Sequence, residues 1–210
     1  MIPFSRPSKI VCVGRNYLAH AAELGNEVPD EPLLFLKPSS ALIGPGEPIL
    51  IPPWAGRVDF EGEIGVLIGR RASRVEEDVA LDYVDSILPV NDVTARDLQR
   101  KDGQWGRAKG FDTFCPVGEP VPMASLDPAD LTVVTRVNGQ ERQRGSAGQM
   151  VFSIPFLVAF ISRVMTLEPG DLLATGTPEG IGPLAPGDEV QVELVGLGSL
   201  TNPVAALEAE

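Results

Sequence analysis

Asp59-Phe60-Glu61-Gly62-Glu63-Ile64-Gly65-Val66-Leu67-Ile68 is the stretch that decides the fold. Side chains alternate along a strand, so Asp59, Glu61 and Glu63 would share one face, with neighbours about 7 Å apart. The continuation Ile64–Ile68 is apolar on both faces, which is typical of a buried strand. The acidic face has two interpretations. It is the solvated face of an edge strand, or a buried cluster that needs a cation, because no Lys or Arg is interleaved with it.

Short β-like runs recur between Gly and Pro breaks along the rest of the chain. They are Lys9–Val13, Leu33–Lys37, Ile49–Ile51, Ser86–Asn91, Leu131–Val137, Gln140–Arg144, Asp171–Thr175 and Glu189–Leu194. Asn138-Gly139 separates two of these runs and predicts a hairpin with a type I′ turn, because both central residues of that turn need positive φ.

Helical patterns are few. The strongest covers Ile154–Met165, with Ser153 as the N-cap and Pro155 in the first turn. Weaker helices are predicted near Tyr17–Leu24 and Thr94–Lys101. No repeat or change of composition marks a linker, so we expect one domain over residues 1–210. The predicted fold class is mainly β with few helices (α+β).

Composition excludes several classes of protein. The chain has 210 residues, 17 Lys and Arg against 29 Asp and Glu, and a net charge of −12, which argues against a nucleic-acid partner. Its apolar runs are shorter than the roughly 20 residues that span a membrane. The N-terminal residues do not have the pattern of a secretory signal. Two cysteines, Cys12 and Cys115, provide no disulfide framework, so we expect a reducing, cytoplasmic location.

A third acidic residue, Asp92, follows the predicted strand Ser86–Asn91. Considered alone, Asp92 is a helix N-cap with Arg96 as a surface partner. Combined with Glu61 and Glu63, it completes a set of three hard oxygen ligands that suits Mg²⁺ or Mn²⁺. Zinc is disfavoured, since the chain has one His and no paired Cys.

The single histidine, His20, lies three residues before Glu23. On a helix these two side chains share a face, and the carboxylate would orient the imidazole as a general base for water. The alternative is an ordinary surface pair on a polar helix.

Basic residues cluster after Asp92. They are Arg96, Arg100, Lys101, Arg107 and Lys109. On an acidic chain this cluster could receive an anionic substrate, or it could be a solvated helix and loop. The turn Gly176-Thr177-Pro178-Glu179-Gly180 offers backbone N–H groups to a carboxylate, without the glycine spacing of a nucleotide-binding loop.

Taken together, these segments resemble the fumarylacetoacetate hydrolase family. The resemblance rests on an ordered set of segments: Gly14-Arg15-Asn16-Tyr17, His20 with Glu23, Asp59-x-Glu61-x-Glu63, 91–99 (NDVTARDLQ), Lys109, Met150-Val151-Phe152, 166–171 (TLEPGD) and 176–180 (GTPEG). It spans most of the chain and is closest to the short members that act on acylpyruvates or oxaloacetate.

The resemblance implies a mixed β-sandwich or β-roll, a homodimer, and a small 2-oxo acid as substrate. It also assigns residues to roles: Glu61, Glu63 and Asp92 to Mg²⁺ or Mn²⁺; Arg15, Arg96, Gln99 and Thr177 to substrate binding; and His20, Glu23 and Lys109 to catalysis. His20 and Glu23 match a dyad that activates water, and Lys109 would stabilise an oxyanion.

The reaction that this resemblance implies is metal-dependent hydrolysis of a C–C bond in an acylpyruvate, such as fumarylpyruvate or acetylpyruvate, through a pyruvate enolate. Oxaloacetate decarboxylation is a second activity. One alternative is a 2-hydroxyhepta-2,4-diene-1,7-dioate isomerase or a 5-oxopent-3-ene-1,2,5-tricarboxylate decarboxylase in aromatic degradation. Another is a non-catalytic β module that binds Ca²⁺. The chain departs from the family pattern at Ala147, Gly148 and Gln149, a segment expected to contact the distal end of the substrate.

Overall fold

A computed structural model describes residues 1–19 and 29–208. It is built mainly from short β-strands, as predicted. In chain order these are β1 (Ile10–Gly14), β2 (Leu33–Lys37), β3 (Leu42–Ile43), β4 (Ile49–Ile51), β5 (Val58–Phe60), β6 (Gly62–Ile68), β7 (Val84–Asn91), β8 (Thr94–Ala95), β9 (Cys115–Pro116), β10 (Val121–Pro122), β11 (Thr132–Val137), β12 (Gln140–Ser146), β13 (Leu172–Ala174), β14 (Gly182–Pro183), β15 (Glu189–Leu194) and β16 (Gly198–Ala206).

The α-helices with both ends in the described ranges are α1 (Arg96–Asp102), α2 (Gly106–Lys109) and α3 (Ile154–Val164). Short 3₁₀ segments cover Ser39–Ala41, Glu77–Tyr83, Met123–Ser125, Pro128–Asp130 and Ala147–Gln149. Helix α3 begins as predicted, because the Ser153 hydroxyl accepts a hydrogen bond from the Phe156 N–H at 3.3 Å. Within the described ranges, no helix combines the length and apolar character needed to cross a membrane.

Two larger sheets organise the fold. The first has six strands in the order β10-β7-β6-β13-β1-β2, and the second has five in the order β12-β11-β15-β16-β4. Ile64 and Val66 of the first sheet share a core with Val133 and Val192 of the second and with Leu157 of α3. Smaller sheets, β14-β5-β8 and β3-β9, complete the architecture.

The acidic stretch 59–68 is divided between two sheets. Strand β5 ends at Phe60, Glu61 lies in the break, and β6 begins at Gly62, so the prediction of one continuous strand over 59–68 is wrong. Strand β6 lies between β7 and β13, and all seven of its residues are buried. The edge-strand interpretation is therefore wrong, and the carboxylates belong to the interior.

The predicted hairpin is confirmed. Asn138 and Gly139 have φ values of +51° and +76° and connect β11 to β12. Beyond this turn the ladder contains a bulge, since Thr135 pairs with Gln143 whereas Arg136 pairs with Glu141. The extra residue, Arg142, shifts the alternation of β12, because a bulge moves the following side chains to the other face.

Candidate active site

Three carboxylates meet at one end of the β6–β7 pair. Gly62 pairs with Asn91, and the Asp92 N–H donates to the Glu61 carbonyl oxygen at 2.8 Å, which brings the ends of both strands together. Glu61, Glu63 and Asp92 each offer a carboxylate oxygen, and these oxygens all lie within 4.8 Å of one another. The three residues are 5%, 1% and 1% exposed. The structure thus gathers the three residues predicted to bind a metal.

Lys109, at the end of α2, lies between two of these carboxylates. Its ammonium group donates to Glu61 Oε2 at 2.9 Å, to Asp92 Oδ2 at 2.5 Å and to Thr94 Oγ1 at 2.7 Å. The side chain is 2% exposed. Burial alone would lower the pKa of this ammonium, but Asp92 and Glu61 outweigh that effect and raise it. Lys109 is therefore a charged, fully bonded member of the cluster.

Arg96 links the cluster to Asp59. Its Nε donates to Asp59 Oδ2 at 2.9 Å, another guanidinium N–H bonds Glu61, and Nη1 donates to Gln99 Oε1 at 2.9 Å. Asp59 also receives Nε of Arg57 at 2.7 Å. Asp59 therefore does not join the other carboxylates at one point, as the alternation along a single strand suggested.

The structure also corrects the alternatives considered for the segment after Asp92. Helix α1 begins at Arg96 with Ala95 as its N-cap, so Asp92 is not a helix cap. Arg96 is 4% exposed and is not a surface partner of Asp92. The solvated-loop interpretation holds for Arg107, which forms an exposed ion pair, but not for Arg96 or Lys109. Arg100 forms an exposed ion pair and also lines the cavity described below.

Lys37 is a site residue that sequence reasoning missed. It ends β2 and is fully buried, and its ammonium donates to Asp92 Oδ1 at 2.5 Å and to the Val93 carbonyl oxygen at 3.2 Å. The available signal was a single Lys at the end of the apolar run Leu33–Leu36, since a buried ammonium needs an anionic partner.

Glu63 differs from the other two carboxylates in its partners. Its Oε2 accepts the Gly176 N–H at 2.8 Å, and no Lys or Arg of the described ranges bonds it. Burial raises the pKa of its carboxyl group, as do Asp92 and Glu61, whereas Lys109 and the Gly176 N–H lower it. A hard divalent cation favours three ionised oxygen ligands at this spacing. The residues present therefore fit the metal that the sequence predicted.

The cluster forms the floor of a cavity of about 310 Å³. The lining residues combine the predicted site with an apolar wall: Val13, Gly14, Arg15, Phe35, Glu61, Glu63, Asp92, Arg96, Gln99, Arg100, Trp105, Lys109 and Thr177. All of the predicted metal and substrate-binding residues line this one cavity, together with Lys109.

Phe35 and Trp105 form a wall that was not predicted. Their rings meet edge to face with centroids 5.2 Å apart, and the Lys109 ammonium lies 4.9 Å from the Phe35 centroid. A side chain at Gly14 would collide with Trp105, because a Cβ there would lie 2.6 Å from its ring. The glycine therefore permits the indole to pack against β1 at the cavity wall.

The turn 176–180 binds a carboxylate of the protein itself. The Gly176 N–H that could have faced a substrate anion is bonded to Glu63. The Thr177 hydroxyl donates to the Gly62 carbonyl oxygen at 2.9 Å and accepts from Gln143 Nε2 at 2.8 Å. A substrate contact from the Thr177 hydroxyl proton would therefore break an existing bond.

The predicted dyad and the segment 147–149 have a different outcome from the metal-binding and substrate-binding residues. His20 and Glu23, and most of the predicted helix Tyr17–Leu24, lie outside the described residues, so the dyad stays a prediction. Ala147, Gly148 and Gln149 form a 3₁₀ turn capped by Ser146. Among the described residues that line the cavity, none comes from this turn.

The chain belongs to the fumarylacetoacetate hydrolase family, since residues 9–205 match the model of the fumarylacetoacetate (FAA) hydrolase C-terminal region. Among curated proteins, the mitochondrial oxaloacetate tautomerase FAHD1 of Homo sapiens is 44% identical over 197 residues, covering 91% of this chain and 89% of the relative. The name of this relative is that of an enzyme, so the site described above belongs to an enzyme family.

Two solved structures share the fold. A 5-carboxymethyl-2-hydroxymuconate delta-isomerase from Mycobacterium smegmatis has a TM-score of 0.92 and 47% identity, covering 100% of this chain and 83% of that one. A fumarylpyruvate hydrolase from Pseudomonas aeruginosa, in complex with Mn²⁺ and pyruvate, has a TM-score of 0.90 and 32% identity, covering 96% and 91%. The named relatives thus include a tautomerase, an isomerase and a hydrolase.

Proposed function

We propose that this protein is a Mg²⁺- or Mn²⁺-dependent enzyme that hydrolyses the C–C bond of an acylpyruvate such as fumarylpyruvate or acetylpyruvate. The observation that carries the proposal is the buried cluster of Glu61, Glu63 and Asp92 at the floor of a cavity that also contains Lys109. The hydrolase relative with Mn²⁺ and pyruvate supports both the metal and the 2-oxo acid.

The three carboxylates would hold the cation. When bound, a divalent cation supplies Lewis-acid stabilisation of negative charge that develops on a 2-oxo acid. Phe35 and Trp105 narrow the cavity with apolar surface, which strengthens electrostatic interactions inside by excluding water.

Lys109 would stabilise negative charge on the carbonyl oxygen under attack. An ammonium group has three N–H donors, and Lys109 uses all three on Glu61, Asp92 and Thr94. Donation to substrate therefore requires that one of these three partners release it. If Glu61 and Asp92 held a divalent cation, Lys109 would be free to donate into the cavity that it lines.

His20, with Glu23, would remove a proton from the attacking water, as the family resemblance implies. A reaction that only forms an enol does not need that water. The same cavity would therefore also serve oxaloacetate, by decarboxylation or keto–enol interconversion. The 44% identical oxaloacetate tautomerase favours this second substrate. The 47% identical delta-isomerase favours isomerisation of a diene dioate as the alternative.

Two experiments test the proposal. Turnover of fumarylpyruvate, acetylpyruvate, oxaloacetate and a diene dioate is measured with Mg²⁺, with Mn²⁺ and with chelator. Mn²⁺ binding is measured by calorimetry on wild type, Glu63→Gln and the exposed control Glu141→Gln. We expect turnover to need the cation and Glu63→Gln alone to weaken its binding. Metal binding that is equal in all three proteins, or no turnover of any of these acids, would refute the proposal.

The family resemblance also leads us to propose a homodimer. The net charge of −12, the short apolar runs and the two cysteines lead us to propose a cytoplasmic protein without a nucleic-acid or membrane partner. Light scattering after size exclusion tests the oligomeric state, and a monomer at micromolar concentration would contradict it.

A further inference from the structure

A buried glutamine, Gln143, connects the two segments that carry the metal ligands and the substrate turn. The residue belongs to β12 of the second sheet, whereas Glu63 belongs to the first. Gln143 is 2% exposed. Its side chain reaches from the second sheet to Gly62 of the first, at the active site.

The contacts of Gln143 form a closed ring with two neighbours. Its Oε1 accepts the Gly62 N–H at 3.0 Å, and its Nε2 donates to Thr177 Oγ1 and to the Pro178 carbonyl oxygen, both at 2.8 Å. The Thr177 hydroxyl then donates to the Gly62 carbonyl oxygen at 2.9 Å. Both backbone groups of Gly62 are thus held by side chains.

Gly62 is the residue between Glu61 and Glu63, so the ring fixes the peptide that separates two of the carboxylates. A Cβ at this position would lie 1.9 Å from Thr135 Oγ1, so only glycine fits against the second sheet. The other end of the ring holds the turn whose Gly176 N–H binds Glu63. Gln143 therefore acts on Glu63 from both sides.

The bulge in β12 places Gln143 in this position. Glu141 and Arg142 are both exposed and Gln143 is buried, so the extra residue at Arg142 turns the next side chain inward. The same bulge receives the end of the turn. Gly180, with φ +94°, approaches the Arg142 carbonyl so closely that a Cβ would lie 2.1 Å from its oxygen. Bulges near active sites commonly aim a side chain in this way.

We propose that Gln143 is a positioning residue that sets the geometry of Glu61 and Glu63 for the metal and ties it to the Thr177 turn. The inference rests on the proposed metal site and names a residue that acts on it without touching the cation. Residues that hold metal ligands in position typically contribute about 10–100-fold to metal affinity or activity.

The test is Mn²⁺ affinity, measured by calorimetry on the full chain below its unfolding temperature. Gln143→Met keeps the size and removes all three hydrogen bonds, and Gln140→Met is the matched control on the exposed end of the same strand. We expect affinity to fall about 10–100-fold in Gln143→Met and to stay unchanged in Gln140→Met. Equal affinity in Gln143→Met and wild type would overturn the inference and leave the proposed function intact.

A second pair of variants covers the case in which Gln143→Met does not fold. Thr177→Val opens the ring at its other corner, and Thr177→Ser restores the hydroxyl. We expect weaker Mn²⁺ binding in Thr177→Val and recovery in Thr177→Ser. Where Gln143→Met folds, adding Thr177→Val to it should cost little more, because residues of one network are non-additive.

Equal Mn²⁺ affinity in Thr177→Val and Thr177→Ser, or full additivity in the double variant, would overturn the role of Gln143. Failure of the proposed function gives a different result, since wild type itself would then bind no Mn²⁺.

Discussion

Replacing Lys109 with Met should destabilise the protein without metal and make its stability depend strongly on metal. The ammonium group is 2% exposed and bonds both Glu61 and Asp92. Methionine retains most of the volume but none of the charge. In chelator, the variant therefore leaves two buried carboxylates without the cation that lies between them.

The size of the effect follows from this burial. Removing one partner of a buried ion pair typically costs about 3–5 kcal/mol when the remaining charge is left uncompensated. Arg96 still bonds Glu61 and Lys37 still bonds Asp92 in the variant, so we expect the lower end of this range, about 3 kcal/mol. For a domain of 150–250 residues, each 1 kcal/mol lowers the melting temperature by about 2–4 °C. Lys109→Met should therefore melt about 6–12 °C below wild type in chelator. Mn²⁺ should raise the melting temperature more in the variant, since a cation then replaces the missing charge.

The assay is thermal unfolding followed by circular dichroism, with chelator and with excess Mn²⁺. Lys101→Met, on the exposed surface of α1, is the matched control and should have the same melting temperature as wild type. If Lys109→Met and wild type have the same melting temperature in chelator, burial of the carboxylates does not depend on the Lys109 charge. If Mn²⁺ stabilises both proteins equally, the ammonium and the cation do not compensate the same carboxylates. Either result would refute the reasoning.

Three further predictions concern other parts of the chain. Asp171 is fully buried; burial would raise its pKa, but the Glu168 N–H, Lys9 and Ser8 outweigh this and lower it. The ionised Asp171 carboxylate stabilises the folded protein above the pKa of about 3.9 that an Asp has in the unfolded chain. This stabilisation is lost as the pH falls through the lower pKa of Asp171 in the folded state. Asp171→Asn should cost about 1.5–3 kcal/mol at pH 7 and flatten the acid loss of stability below about pH 4, measured by denaturant titration. A variant with the wild-type acid profile would contradict the assignment. Gly139→Ala should cost about 1–2 kcal/mol in the same titration, because φ is +76° at this position. A Cβ there would meet nothing within 4 Å, so the cost would come from the backbone alone. An unchanged midpoint would exclude backbone strain at Gly139. His20→Ala should depress acylpyruvate hydrolysis by about 10²–10⁴, with less effect on oxaloacetate decarboxylation, and equal losses would remove the general-base role.

Much of the fold could be predicted, because its strands are short, apolar and separated by Gly and Pro. Strands β2, β4 and β15 have the predicted bounds, and α3 ends one residue before its prediction. The nine-residue strand β16 was missed, since it contains Pro203 and places Asn202 among its buried positions. The Asn202 amide is satisfied by the carbonyl oxygens of Gly44 and Glu47, contacts that no local pattern reveals.

The three acidic residues could be predicted for a similar reason, and their basic partners could not. Glu61 and Glu63 stand two apart, and Asp92 directly follows the neighbouring strand, so local patterns bring all three together. The cations come from far along the chain. Lys37 is 55 residues from Asp92, and Lys109 is 48 from Glu61.

This difference explains why the acidic stretch could be mistaken for a solvated edge. Burial of several carboxylates requires compensating charge, and no Lys or Arg is interleaved with Asp59, Glu61 and Glu63. The fold supplies it from β2, α1 and α2, through Lys37, Arg96 and Lys109. Lys37 is enclosed behind Asp92, whereas Lys109 lines the cavity. The two lysines should therefore differ in role, Lys37 as a fixed part of the fold and Lys109 as the charge that moves when the carboxylates bind a metal.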